Sequence, residues 1–546
     1  MPYTGRDQDY EEPLANQTAM WTDLYALTMS QALFLEGRHD QLVTFHAFVR
    51  NNPFNGAFMI SGGQNIVAEW LDKNFKFDER DLRRLAAKTA INPKTGQSEK
   101  LFKPEFLEVL RNMKSQVTLD MMPEGEIAFP SEPIYKVTAP AYQALLMECP
   151  ILNSMNSQSG FATYAAKLKT AARGKQVAEF GLRRAFAIGG LESSRGAYLG
   201  GVDFTSNELA EKYYGEPTIG TMAHAFVMMH ETEEDAYRSW ARNMPLSGII
   251  LPDTYEAVGG MTKAVQIYNE EDSVLQGFRQ DSGDLNYLNE EGERIAKKDF
   301  KRNAASNDLN VENIDSMETQ GGATDLYAVG TTLATLRGED PVGGVYKIAA
   351  VYKNGLSQEE ISALKKAVRE GLTQPEDIRD RVRDIMKLSS QTIKMTYPGE
   401  LDLIRYLKEE NGKLMFDGGT IYPAWAPDPL TETNDNEPLA GELARDVMSV
   451  NRNNHIISKI FNKGARAYRP IKPFFKEGKL IGNIETLHQA RARAQERLAM
   501  LDESYKRLIK PREMVVGVEE GLLQRQEAMG RRLRQTGNTV LANTVR

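Results

Sequence analysis

Across residues 175–351, short apolar runs recur at intervals long enough to hold a helix: QVAEF, GGVDFT, PTIGTM, SGIILP, VLQGF, the neighbourhood of SNDL, DLYAVG and GGVYKIAAV. Strand signals alternating with helix-length stretches build parallel βαβ units, because parallel neighbours need a long crossover connection. Roughly eight such runs suit a closed or partly closed α/β barrel, whose usual size is about 250 residues. Periodicity alone does not separate that barrel from an open sheet.

A chain of 546 residues exceeds one compact core, so further structure flanks the barrel region. The expected division is a polar tail over 1–19, an N-terminal α/β domain over 20–150 completed by C-terminal segments, and an α/β-barrel domain over 151–352. A helical and irregular region over 353–546 is expected to pack on both. In the N-terminal part the spacing predicts a helix over about 21–35, capped by Thr22 or Asp23, and a strand over 41–49. NNPFNG at 51–56 is turn chemistry, helices follow near 64–74 and 78–88, and 116–137 reads as β-rich with tight turns. An apolar helix near 142–152 is expected before a separate, more polar one near 160–172. Beyond the barrel the pattern gives one or two exposed helices within 358–388, a polar loop over 428–438, a long charged helix over 486–512 and a basic solvated tail.

No apolar run approaches the roughly 20 residues that span a bilayer, and the acid-bearing start MPYTGRDQDYEEPLANQ lacks an apolar signal core. Cys149 is the only cysteine, so no intramolecular disulfide can form and a reducing, cytoplasmic setting fits. The net charge of −8 disfavours broad nucleic-acid binding, although a local cationic cluster can still hold an anion. GxxxxGK[ST], GxGxxG at a helix start, CxxC and HExxH are all missing, so any phosphate binding has to be built by other means.

In an α/β barrel the chemistry sits where strands end and loops begin. GLRR after QVAEF places Arg183 and Arg184 there, either to grip a carboxylate or phosphate through paired hydrogen bonds or to bond helix-end carbonyls at the surface. In GGVDFTSN the hydroxyls of Thr205 and Ser206 are explained most simply as caps of the next helix. His224 in GTMAHAF, taken alone, reads as a structural histidine, with acid/base or phosphoryl-accepting chemistry as the alternative. FRQDSGD is the densest cluster. Arg279, Asp281, Ser282 and Asp284 around Gly283 can bind sugar hydroxyls or the Mg²⁺ that accompanies a pyrophosphate, or can cap a helix. SNDL, AVGTT and GGVYK place small and hydroxyl residues after strands, where backbone N–H groups can cradle phosphate.

These stretches resemble the nicotinate phosphoribosyltransferases. The matches run in order: TDLYALTM, FVRNNPFNGAF, PEGEIAFPSEP, EFGLRRA, GGLESSRGAYLGGVDFTSN, GTMAHAF, RQDSGDL, SNDL, VGTTLAT and GGVYKI, over about residues 20 to 350. TYPGELDLIRYL and GTIYPAW match less surely. The resemblance implies an irregular α/β barrel of the type II phosphoribosyltransferase kind, an N-terminal α/β domain and a homodimer with shared active sites. It implies that Phe180 and Arg183 hold the pyridine ring, that Tyr25, beside Asp23, reaches in from the partner subunit, and that Asp281 contacts the ribose. Ser306, Asn307, Gly330 and Thr331 are implied as phosphate-binding, and His224 as the residue phosphorylated when ATP is spent, against its structural reading above. Arg279 and Asp284 complete the charged set around the substrates. The implied reaction joins nicotinate to phosphoribosyl pyrophosphate with Mg²⁺ and ATP, giving nicotinate mononucleotide for NAD synthesis; the metal-holding residues are left open. Similar nicotinamide enzymes carry an aspartate where Ser206 stands, and a hydroxyl there favours the acid substrate. The chain departs from the family pattern at Phe204, where glycine is usual, and at Gln280, where an apolar residue is usual. A nicotinamide enzyme and a catalytically silent homologue are the competing readings.

Overall fold

The computed structural model describes residues 17–296, 302–336, 342–378, 380–389, 395–431, 439, 441–452 and 456–544. Most of the expected polar tail and of the loop at 428–438 lies outside them.

Six of the expected barrel runs pair in one parallel sheet. Its order is Ile249–Ile250, Gly277–Gln280, Arg302–Ser306, Leu326–Val329, Gln176–Glu179, Phe204–Thr205. Thr205 adds a single parallel bridge to Thr218, which is all that PTIGTM contributes. Among the described residues no pairing joins Thr218 to Ile249, so the barrel is incomplete. Alternate residues of a strand point to opposite faces. Val177, Ala305, Tyr327 and Val329 pack with Leu168, Ile314 and Met317 of the surrounding helices. Ala178, Ala304, Leu326 and Ala328 form a second cluster, against which Phe180, Phe204 and Ile219 lean.

The eighth expected run does not join this sheet. Gly344–Tyr352 pairs antiparallel with Leu42–Val49, inside a seven-stranded antiparallel sheet. That sheet runs Val382–Asp384, Gly344–Tyr352, Leu42–Val49, Tyr135–Pro140, Thr118–Met121, Lys472–Lys476, Lys479–Leu480. Local sequence makes a strand but does not choose its partner, and here the partner is some 300 residues earlier in the chain.

Two further expectations are corrected. The region after 353 is not helical and irregular: it carries a six-stranded sheet built around the hairpin Leu401–Glu410 and Lys413–Pro423. Residues 401–407 are buried without a break, so the alternation that marks a half-exposed strand is missing. The helices expected near 142–152 and 160–172 resolve into Ala141–Leu146 and one continuous helix, Glu148–Ala171. Its polar middle reads as an interruption, but Ser154, Gln158 and Ser159 are buried: Ser154 lies against Gly63 and Ser159 against Gly62, and Gln158 faces the helix Gly189–Leu199. Gln158 donates to Glu192 and accepts from Arg195, which also holds Glu124 at 2.9 Å.

The helix Leu487–Ala499, opened by a capping box at Thr486, ties the two parts together. Arg491 donates to the carbonyls of Tyr198, Gly201 and Val202 on the barrel side. Arg493 and Arg497 bond Glu124 O and the Glu126 carboxylate on the other. Among the described residues no helix is long and apolar enough to cross a membrane.

Candidate active site

The polar residues after the parallel strands gather at one rim, the C-terminal ends of the sheet. His224 opens the short helix His224–Met228. Its Nδ1 lies 3.1 Å from Thr254 Oγ1, and its Nε2 lies 3.6 Å from Asp281 Oδ2 and 3.9 Å from Asp253 Oδ1. Three segments distant in sequence, those of His224, Asp253–Thr254 and Asp281, meet at this imidazole. The Asp281 carboxylate accepts the Ser306 hydroxyl at 2.5 Å, and Asp253 accepts the Ser282 hydroxyl at 2.5 Å. Asp253 is almost wholly buried, and its Oδ1 has no hydrogen-bond partner. A buried carboxylate oxygen is costly to leave unpaired, which marks this position as one awaiting a donor or cation.

Arg279, at the end of its strand, is mostly buried with an unpartnered Nε. Burial pushes its pKa down; Asp281 and Asp253 push it back up, and the like charge of Arg183 adds to the fall. A guanidinium stays charged throughout the accessible pH range, so two cations face this space together. Arg183 stands exposed on the single turn Leu182–Arg184, while Phe180 leans on the cluster of Ala178, Ala304, Leu326 and Ala328.

Ser206 is half-buried, and its backbone N–H donates to Glu179 O at 2.9 Å. The expected capping by Thr205 or Ser206 does not occur: Asn207 caps the helix Glu208–Tyr214, and the Thr205 hydroxyl bonds the Glu179 carboxylate. Asp284, by contrast, takes the capping role, accepting the Tyr287 N–H at 3.1 Å, whereas Asp281 turns to His224. The Ser306 hydroxyl is engaged by Asp281 and Gln280 O, and Asn307 follows it in a left-handed turn with φ 78°. Gly330 precedes the turn Thr331–Ala334, where a Cβ would approach Phe180 O to 3.3 Å. Thr332 donates to Leu309 O at 2.6 Å, linking the VGT and SNDL loops.

Asp23 and Tyr25 are not brought to this rim. The Tyr25 hydroxyl donates to Glu148 at 2.6 Å, and burial, then Glu148, pushes its pKa above the ordinary phenol value. Asp23 precedes the helix Leu24–Leu35 without a side-chain capping bond and lies beside Cys149. Sequence reasoning passed over Asp253 and Thr254, although LPDTYE directly follows the SGIILP run and the strand-end rule that selected Asp281 selects them too. It also passed over Glu179, whose position inside a strand signal gave no cue. Among the described residues no group of three or more His, Cys, Asp or Glu is arranged to hold a metal ion. Asp253 and Asp281 nonetheless offer the hard oxygens that Mg²⁺ takes when substrate phosphates supply the remaining ligands.

This incomplete parallel barrel with a charged rim, joined to an antiparallel domain, places the chain in the fold of the barrel-type phosphoribosyltransferases. The crystal structure of human nicotinic acid phosphoribosyltransferase superposes with a TM-score of 0.71 over 93% of this chain and 99% of that one, at 23% identity. Family models match at both ends: the nicotinate phosphoribosyltransferase N-terminal domain over residues 20–156 and its C-terminal domain over 428–526. A Mycobacterium tuberculosis nicotinate phosphoribosyltransferase is 34% identical over 343 residues, which cover 62% of this chain and 71% of that protein. The Bacillus subtilis nicotinate phosphoribosyltransferase is 29% identical over 510 residues, covering 92% and 93% respectively. The chain belongs to the nicotinate phosphoribosyltransferase family.

Proposed function

We propose that the chain transfers the phosphoribosyl group of phosphoribosyl pyrophosphate to nicotinate, releasing nicotinate mononucleotide and pyrophosphate, with ATP hydrolysed through phospho-His224. Its place would be NAD synthesis or salvage in the cytoplasm. The observation that carries this reading is the His224 ring set between Thr254, Asp253 and Asp281, beside Arg279, at the mouth of the barrel.

The transfer needs alignment more than covalent help. The pyridine nitrogen attacks the anomeric carbon with its own lone pair as the bond to pyrophosphate breaks, so no general base is required. Phe180 and Arg183 would hold the ring, and Asp281, already turned into the site, would meet the ribose hydroxyls. The departing charge is offset by Arg279 and by backbone N–H groups after Ser306 and Gly330. Mg²⁺ bound with the pyrophosphate would neutralise part of that charge, with Asp253 and Asp281 as its protein oxygens. With Nδ1 on Thr254, Nε2 is the nitrogen that faces the rim and takes the γ-phosphoryl group from ATP as ADP leaves. Water then cleaves the phosphohistidine. The added charge and acceptor oxygens would draw cationic loops around the sugar substrate.

Asp23 and Tyr25 lie away from the rim in a single chain, so their contact with substrate requires a second copy of the chain. A homodimer with shared sites follows from that reading. Nicotinate is preferred over nicotinamide because a hydroxyl at Ser206 can donate to the substrate carboxylate, where an aspartate would repel it.

The test is product formation from phosphoribosyl pyrophosphate, Mg²⁺ and either pyridine, with and without ATP, resolved by chromatography. Nicotinate mononucleotide that rises with ATP, and loses that rise in His224→Ala, supports the scheme. Preference for nicotinamide overturns the Ser206 argument, and no product with either pyridine overturns the enzyme reading.

A further inference from the structure

Directly beneath the base-holding loops lies a carboxylate that touches no substrate position. Glu179 ends the strand Gln176–Glu179, next to the edge strand Phe204–Thr205, and is fully buried. Its Oε1 accepts the Gly181 N–H. Its Oε2 accepts the Ser194 hydroxyl at 2.8 Å and the Thr205 hydroxyl at 2.9 Å. Its backbone carbonyl accepts the Ser206 N–H. One residue thus grips the segment bearing Phe180 and Arg183, the segment bearing Ser206, and the buried helix Gly189–Leu199 between them.

The grip is closed on every side. Asn207 Nδ2 reaches Ser194 Oγ at 3.2 Å and Gly190 O at 3.2 Å, and its backbone N–H donates to Thr205 Oγ1 at 3.1 Å. Gly181 has no room for a side chain: a Cβ would run into Ala334 and into the Glu179 carboxylate itself. The phosphate loops also have side-chain ties of their own, from Thr332 to Leu309 O and from Ser306 to Asp281 and Gln280 O, although the turn at 330–334 packs against Phe180 and Gly181.

We infer that Glu179 is a positioning residue that fixes Phe180, Arg183 and Ser206 relative to one another, and so sets recognition of the pyridine base separately from recognition of the sugar phosphate. The inference rests on the proposed function for its substrates. The chemistry it demands is narrow. Gly181 N–H can only donate, so Oε1 must stay an acceptor. The two hydroxyls can turn, so the second atom need only be polar. Glutamine meets both conditions, with its amide donating to Ser194 and Thr205. Leucine meets neither: it leaves the Gly181 N–H unpaired and drives the Ser194 and Thr205 hydroxyls back onto Gly190 O and Ser194 Oγ, releasing the strand end from the helix. Aspartate is one methylene too short to reach both sides.

The test compares Glu179→Gln, Glu179→Asp and Glu179→Leu in the full-length protein. In the leucine and aspartate variants the KM for nicotinate should rise about tenfold or more, while the KM for phosphoribosyl pyrophosphate changes less than about threefold. Glu179→Gln should stay within about twofold of the parent on both. Without substrates, amide hydrogen exchange of residues 180–188 and 204–207 should quicken in the leucine variant and not in the glutamine one. Equal rises in both KM values, a glutamine variant as impaired as leucine, or unchanged exchange in all three would overturn the inference. Parent protein inactive on nicotinate would refute the proposed function, while the exchange pattern would still decide the role of Glu179.

Discussion

Removing the guanidinium of Arg405 alone should destabilise the protein strongly, and removing its partner as well should restore much of the loss. Arg405 is wholly buried in the strand Leu401–Glu410. It donates to the equally buried Glu132 at 2.6 Å and to Ile127 O at 3.0 Å, with its guanidinium over the Phe129 and Phe416 rings. Glu132 also accepts the Phe129 N–H at 2.9 Å. Arg405→Met deletes the cation and strands Glu132 as an uncompensated buried carboxylate, a change that typically costs about 3–5 kcal/mol. In a chain of this size such a loss lowers the apparent melting temperature by about 3 to 7 °C. The double variant Arg405→Met, Glu132→Leu removes both charges, and well-packed apolar substitutes of a buried pair are often neutral to stability, so its melting temperature should lie above that of either single variant. Differential scanning fluorimetry on the parent, both singles and the double gives the whole cycle. A single-variant shift below about 2 °C, or a double-variant loss equal to the sum of the singles, would refute the assignment of this pair as a coupled buried unit.

Three further outcomes are expected. Asp253→Ala should lower the ATP-stimulated rate by about tenfold or more, since it removes a carboxylate facing His224 and orphans the Ser282 hydroxyl; an unchanged ratio of ATP-stimulated to basal product would contradict that role. Gly200→Ala should destabilise by about 1–3 kcal/mol or more, because a Cβ there runs into the Ala162 carbonyl and forces the two long buried helices apart, as a lowered thermal midpoint would report. His46 is buried, accepts the Leu401 N–H through Nε2 at 3.0 Å, and is pushed down to about 3 by burial, with Lys136 helping. Its folded-state pKa lies below the unfolded value near 6.5, so its contribution is complete above about pH 6.5 and is lost as the pH falls toward 3. His46→Gln, which keeps an acceptor but gains no proton, should flatten the fall in melting temperature between about pH 6 and pH 4 relative to the parent.

Much of the rim was legible in the sequence because barrel chemistry obeys a local rule: polar residues that directly follow a strand point into the site. That rule marks Asp281 and Arg279 as candidates and leaves Arg183 and Ser306 open between binding and structural roles, while Ser206 enters only through the family resemblance. It also misread neighbours, since Thr205 and Ser206 looked like caps until Asn207 took that role. Asp284, three residues after Asp281, takes the capping position instead. Which of two adjacent polar residues caps and which turns inward depends on the helix's exact starting phase, and composition does not fix that phase.

What the sequence by itself determined is the set of local elements and the chemical inventory: alternating strands and helices over 175–351, one cysteine, an acidic net charge and charged groups at strand ends. Those follow from periodicity, turn residues and side-chain chemistry, all of which act over a few positions. Only the tertiary structure decided that Gly344–Tyr352 leaves the barrel for the antiparallel sheet, that residues 401–423 form a buried hairpin, and that Asp253 joins His224. Each depends on contacts between segments far apart in the chain, where loop-closure entropy is offset only by burial and hydrogen bonds that exist once the whole fold has closed.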